Sequence, residues 1–220
     1  CLGSGCRPAW SCTRPHRRLD GPRAQEVHRH RRSGGQPKAA QPPRHPKAPE
    51  PGTKIPSHFG HCFGCGELHP TGLHLAAYAG EGLDITAEFT VNENHQGAPG
   101  LAHGGLLSLA FDEALGKLMW LLRAPAVTAR LETDFLKPVP IGTNLHITAR
   151  ITGQVNRKVY SEAEGRLGGP DGEVAVRAAA LFVIVPMKHF LENAPAEYLE
   201  ALRKNPELLN FVDPEFDINP

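Results

Sequence analysis

From residue 72 onward the chain alternates apolar and polar residues in short runs, and one long apolar stretch interrupts them. Leu73 and Leu75 open a first strand, and Leu83, Ile85, Ala87, Phe89 and Val91 share one face of a second. The pair reads as a hairpin across Gly80-Glu81-Gly82, followed by a loop over residues 92–102. Leu106 to Leu122 then reads as one helix, which Pro125 stops near Arg123. Four more strands follow with no second long helix. The first places Val127, Ala129, Leu131, Thr133 and Phe135 on one face, and the second Leu145, Ile147, Ala149 and Ile151. The third covers roughly residues 158–167 and the last 173–185. Gly142-Thr143 and the run Gly168 to Gly172 supply turns.

A helix that is apolar over most of its circumference has to be buried nearly all round, and six strands with one apolar face each can do this by curling about it. The pattern therefore predicts an α+β domain, a curved antiparallel sheet wrapped around one long central helix. Such a sheet has open edges that a second copy would cover, so a homodimer or a dimer of dimers is expected.

Composition adds the flanks. The chain has 220 residues, enough for one domain with extensions. Residues 1–55 are rich in Arg, His, Pro and Gly without periodicity and are expected to be a disordered basic arm. Residues 56–186 form the domain, and 187–220 are a tail with one short helix over Ala196 to Lys204. The arm carries 12 of the 24 Lys and Arg but 3 of the 23 Asp and Glu, which leaves the remainder acidic. Without interleaved aromatics or a recognisable binding fold the arm is read as solvated, and no nucleic-acid partner is expected. Its Arg-rich, acid-poor composition resembles a transit peptide, against which its prolines and lack of amphipathicity speak. No run approaches eighteen apolar residues, so no membrane span is expected and a cytoplasmic location is. The five cysteines, at 1, 6, 12, 62 and 65, are an odd number and are expected to be reduced thiols.

The candidate chemistry centres on the entry to the helix. Gly104 and Gly105, after His103, let the backbone approach a ligand closely, and at a helix start their N–H groups lack intrahelical partners. Such donors can polarise a carbonyl and hold an oxyanion. A glycine pair alone is equally a tight loop-to-helix junction. Asp112, two turns further on, has Leu109 and Leu115 at three residues' distance and Ser108 and Gly116 at four. A carboxylate there needs a partner or a task, and burial would strengthen it as a base or leave it as a nucleophile. Glu113 is the rival, turned about 100° away, so that only one of the two should share the stripe.

These residues, with their neighbours, resemble the hotdog-fold acyl-CoA thioesterases, in particular the PaaI-like group that includes thioesterase superfamily member four. The resemblance covers about Ser57 to Pro186. It is carried by Cys62-Phe63-Gly64-Cys65-Gly66 with His69-Pro70-Thr71-Gly72-Leu73, by His95-Gln96-Gly97 leading to His103-Gly104-Gly105, by Asp112-Glu113-Ala114, and by Phe135-Leu136-Lys137-Pro138-Val139-Pro140. It implies hydrolysis of an acyl-CoA substrate to free acid and CoA, with Gly104 and His103 at the oxyanion site and Asp112 as general base or nucleophile. It also implies that Thr128 positions the water, that Gly105 and Glu113 contact substrate, and that the site lies between subunits, Asp112 of one copy acting with Gly104 of the other. Gly97 stands where several relatives have an Asn. Lys137, Arg157 and Lys158 are the candidates for the CoA phosphates. The alternative is a non-catalytic acyl-CoA-binding hotdog protein; a hydratase lacks the expected Asp and His loop here.

Cys62 and Cys65 form a single C-x2-C, and His58 and His61 could complete a zinc site. The resemblance accounts for the same residues as a turn leading into the first strand, so no metal and no cofactor are expected.

Overall fold

The computed structural model describes residues 39–186 and, beyond them, 188–190, 194, 196 and 199–200. Strands β1 (Lys54–Ile55), β2 (Ala76–Ala79) and β3 (Asp84–Thr90) come first, then a small ribbon of β4 (Gln96–Ala98) and β5 (Leu101–Ala102). Helices α1 (Gly104–Lys117) and α2 (Met119–Leu122) follow, and β6 (Ala126–Phe135), β7 (Asn144–Val155), β8 (Lys158–Leu167) and β9 (Val174–Ile184) complete the domain. Seven strands form one sheet in the order β1-β2-β3-β7-β8-β9-β6, every neighbour antiparallel. The architecture is the expected α+β hotdog arrangement, a sheet folded about one helix. Among the described residues no helix is long and apolar enough to cross a membrane.

The sheet buries one face of α1. Leu107, Ala110, Phe111, Ala114 and Leu115, spaced at three and four residues, are fully or nearly fully buried against alternating side chains such as Leu145, Ile147, Val159 and Ala178. Phe111 needs a gap in the sheet, and Gly165 on β8 supplies it: a Cβ there would lie 2.7 Å from Phe111 Cζ. The opposite face of the helix departs from the expectation of burial all round. Ser108, Leu109, Asp112 and Gly116 are only half-buried, because the sheet curls over one side of α1 and leaves the other to a cavity.

Four further differences have local causes. Leu73 and Leu75 are buried but lie outside any strand, since His74 between them has φ +49° and their N–H groups donate to the carbonyls of Phe63 and Gly64 at 2.8 and 2.9 Å. The expected loop 92–102 contains a 3₁₀ turn, Glu93–His95, capped by the Asn92 side chain, and the β4–β5 ribbon. The expected single helix breaks at Leu118, whose N–H reaches the Leu115 carbonyl at 3.2 Å, and α2 ends at Arg123 in a left-handed conformation. Finally, residues 39–55 of the expected disordered arm pack on the domain. Ala40 bridges Gln154, the His45 N–H donates to the Leu121 carbonyl at 2.9 Å, and the Arg44 guanidinium donates to the carbonyls of Gly80, Gly82 and Pro49. Backbone groups, Arg44 and Gln41, whose Nε2 donates to the Ile151 carbonyl at 3.2 Å, hold this stretch, which leaves no apolar period to read. Residues 1–38 and most of the expected helix at 196–204 lie outside the described residues.

Two outcomes follow. Gly165→Ala should cost about 1–3 kcal/mol through overpacking against Phe111, read as a lower denaturant midpoint at unchanged slope. His95 is 1% exposed, its Nδ1 accepts the Asn92 N–H at 3.1 Å, and burial lowers its pKa. A neutral folded histidine gives stability that is complete above the unfolded value of about 6.5 and is lost as pH falls below it. His95→Gln should flatten that part of the stability-against-pH curve; an unchanged acid limb would assign it to other groups.

Candidate active site

The half-buried face of α1 lines a cavity of about 850 Å³, bordered by Pro56 to Phe59, Cys62 to Gly64, Ala124 to Thr128 and Phe182. Its wall is mainly apolar, with Leu109, Met119, Trp120 and Phe182, and is suited to an extended aliphatic or aromatic group. Asp112 and Glu113 both face this space, although their 100° separation suggested that one would be excluded. The cavity is wide enough to take both, and the two carboxylates have unlike surroundings.

Asp112 belongs to the edge strand. Thr128 Oγ1 donates to Asp112 Oδ1 at 2.8 Å. Thr128 is held there by an irregularity in β6, where the register against β9 shifts between Thr128 and Arg130, and such bulges re-aim side chains beside functional sites. Oδ2 has no partner among the described residues. The arrangement is that of a carboxylate fixed by one oxygen and available through the other.

Glu113 belongs to the Cys62–Cys65 turn. Its Oε1 lies 3.2 Å from Lys117 Nζ, one turn along the helix, and its Oε2 accepts from the Cys62 thiol at 3.4 Å. His58 Nδ1 stands 3.8 Å from Oε1 and 3.4 Å from Cys65 Sγ. Burial raises the Glu113 pKa, against the pull of the Lys117 ammonium. The hydrogen bond between the two thiols lowers Cys65 and raises Cys62, and the bond to Cys65 raises His58. His61 stands apart from this group and packs its ring near Phe59. Sequence reading missed Lys117, which is 2% exposed and donates to the Pro56 carbonyl at 3.0 Å. The four-residue spacing of Glu113 and Lys117 was the available signal.

At the helix entry the two glycines differ. His103 is the N-cap, and its Nδ1 accepts the Gly105 N–H at 2.9 Å. Gly105 is therefore occupied by the helix's own cap, contrary to the expectation for both amides, while the Gly104 N–H has no acceptor among the described residues. Gly104 sits beside the far end of β6, where a Cβ would be 3.5 Å from the Phe135 ring. Eight residues of helix separate it from Asp112, about 12 Å of rise, and it does not line the cavity. One chain thus holds the acid and the free amide at opposite ends of the same strand.

The three candidate cations are likewise dispersed. Lys137 pairs with Glu173 just past the Phe135 end of β6. Arg157 and Lys158 lie at the β7–β8 turn, where Lys158 faces Val183 and Val183 in turn faces Val127 at the other end of β6. None of the three lines the cavity.

Comparisons with known proteins find partial similarity to thioesterases. The family model described as thioesterase superfamily matches residues 99–172, from the helix entry to the turn before β9. The curated protein Acyl-coenzyme A thioesterase THEM4 of Xenopus laevis is 30% identical over 88 residues, 40% of this chain and 39% of that protein. The chain thus spans about two-fifths of the curated relative it matches. Among solved structures, a thioesterase superfamily protein is 28% identical, with a TM-score of 0.46 over 50% of this chain and 53% of its own. The Escherichia coli PaaI protein from the phenylacetic acid degradation operon is 18% identical, with a TM-score of 0.48 over 52% of this chain and 81% of its own. Over residues 99–172 the chain is thus similar to the thioesterase superfamily.

Proposed function

We propose that this protein hydrolyses acyl-CoA thioesters and that its working unit is a homodimer whose site draws on both copies. The observation that carries the reading is the Thr128–Asp112 hydrogen bond at 2.8 Å on the wall of an acyl-sized cavity. The name of the Xenopus laevis relative supplies the substrate class.

The need for a second copy follows from β6. It is ten residues long and, among the described residues, bonded only to β9, and Phe135 and Leu136 beside its end are 53% and 50% exposed. An open edge of that length with apolar residues at its end favours pairing. If two β6 edges meet antiparallel about a twofold axis near Leu131, Thr128 of one copy lies opposite Phe135 of the partner subunit. Asp112, bonded to Thr128, then faces Gly104 of the partner subunit, which rests on that phenylalanine. The same operation brings Lys137 of the partner subunit to the end where Arg157 and Lys158 stand, about three strand spacings or 14 Å away, and gathers the positive charge that CoA phosphates require.

In this unit the acyl group occupies the cavity and the thioester carbonyl points at the partner's Gly104 amide. Asp112 takes a proton from a water through Oδ2 while Thr128 holds Oδ1. The water oxygen attacks the carbonyl, the amide at the positive helix end stabilises the oxyanion, and collapse expels the CoA thiolate. Glu113 is engaged with Lys117 and the cysteine turn and takes no part in this step.

Asp112→Asn should lower thiol release from acyl-CoA by about 10² to 10⁴ with the dimer mass unchanged, and turnover at the wild-type rate would remove Asp112 from the mechanism. Gly104→Pro deletes the unpaired N–H at the first helical position, where proline is well accommodated after the extended His103 (φ −70°, ψ 131°). It should lower kcat by about 10² to 10³, whereas an unchanged kcat would place the oxyanion elsewhere.

A further inference from the structure

We propose that His58, Cys62, Cys65 and Glu113 form a structural zinc site that fastens the 56–66 segment to helix α1. One donor atom from each, Nδ1, two Sγ and a carboxylate oxygen, can be chosen so that all lie within 4.8 Å of one another. Three separations, two of them to different oxygens of Glu113, fall in the range of a zinc tetrahedron's edges. Zn–S bonds of about 2.3 Å with Zn–N and Zn–O bonds of about 2.0–2.1 Å require edges of about 3.3–3.8 Å. The structure gives 3.4 Å for Cys65 Sγ to His58 Nδ1, 3.4 Å for Cys62 Sγ to Glu113 Oε2 and 3.8 Å for His58 Nδ1 to Glu113 Oε1.

The surroundings fit the same ion. Two thiolates and a carboxylate around Zn²⁺ leave one negative charge, which the buried ammonium of Lys117, 3.2 Å from Glu113 Oε1, neutralises. The turn is shaped about the carboxylate: a Cβ at Gly64 would fall 2.5 Å from Glu113 Oε2, and one at Gly66 would fall 2.4 Å from the Gly60 carbonyl oxygen. The Gly66 N–H closes the turn on the Cys62 carbonyl at 2.8 Å. Thiolate and imidazole donors select zinc over magnesium or calcium. Four protein ligands leave no open position, so the ion is structural rather than a water activator. The C-x2-C thus finds its remaining ligands in His58 and in helix residue Glu113, and His61 is not one of them. Because α1 carries Asp112 next to Glu113, the clip fixes the wall of the cavity.

The test uses the full chain with Cys1, Cys6 and Cys12 replaced by Ser, reduced and titrated anaerobically with Co²⁺, then with Zn²⁺ as competitor. The expected result is one equivalent of Co²⁺ with thiolate charge-transfer and tetrahedral ligand-field absorption, displaced by Zn²⁺. The charge-transfer band should vanish in Cys62→Ser/Cys65→Ser, Glu113→Gln and His58→Ala should each weaken binding by more than about tenfold, and His61→Ala should leave it unchanged. Asp112→Asn should bind metal as the parent does, which separates this proposal from the hydrolysis reading. Circular dichroism of each metal-free variant checks that it is folded. Absence of a thiolate band in the folded parent, its persistence without Cys62 and Cys65, or indifference to both His58 and Glu113 would overturn the site.

Discussion

Two adjacent carboxylates in the middle of an apolar fourteen-residue helix are the constraint on which this structure turns. Neither acid can sit against hydrocarbon without a partner, because an unpaired buried charge costs several kcal/mol. The chain resolves the pair by sending them to different neighbours. Thr128, offered by a bulge in the edge strand, holds Asp112, while Lys117 and the Cys62–Cys65 turn surround Glu113. Helix α1 can then pack its apolar face on the sheet and still present polar chemistry on the other.

In the proposed function that division also accounts for the need for a second copy. The sheet closes over one side of α1, and β6 has a bonded neighbour on one side only. The acid and the free amide of Gly104 are associated with opposite ends of β6, so the strand that leaves the edge open is the one that separates the two groups. The proposed twofold axis through that edge would remove the open hydrogen-bonding groups and bring acid and amide together. In this account assembly and catalysis share one cause.

Much of the fold was legible because its period was simple. Residues 145 to 151 alternate strictly and the Gly80–Gly82 hairpin stands where expected. What escaped was whatever depends on backbone or on distant partners. The stretch 39–55 is held largely by main-chain hydrogen bonds and by the polar side chains of Gln41 and Arg44, for which hydrophobic spacing carries no trace. The occupation of the Gly105 amide by His103 is a capping choice that a glycine pair does not reveal. The companion of the cysteines that sequence spacing could not supply is Glu113, 48 positions beyond Cys65, since a search of nearby residues for histidines finds only His58 and His61.

The central claim is that one site is assembled from two copies, and subunit complementation tests it most directly. Asp112→Asn and Gly104→Pro proteins, each nearly inactive alone, are mixed and allowed to exchange subunits. If the acid of one copy acts with the amide of the other, a mixed dimer holds one site with both defects and one with neither, and statistical exchange restores about a quarter of wild-type activity. If acid and amide act within one copy, every site keeps a defect and the mixture stays as inactive as its parents, a result that would contradict the account.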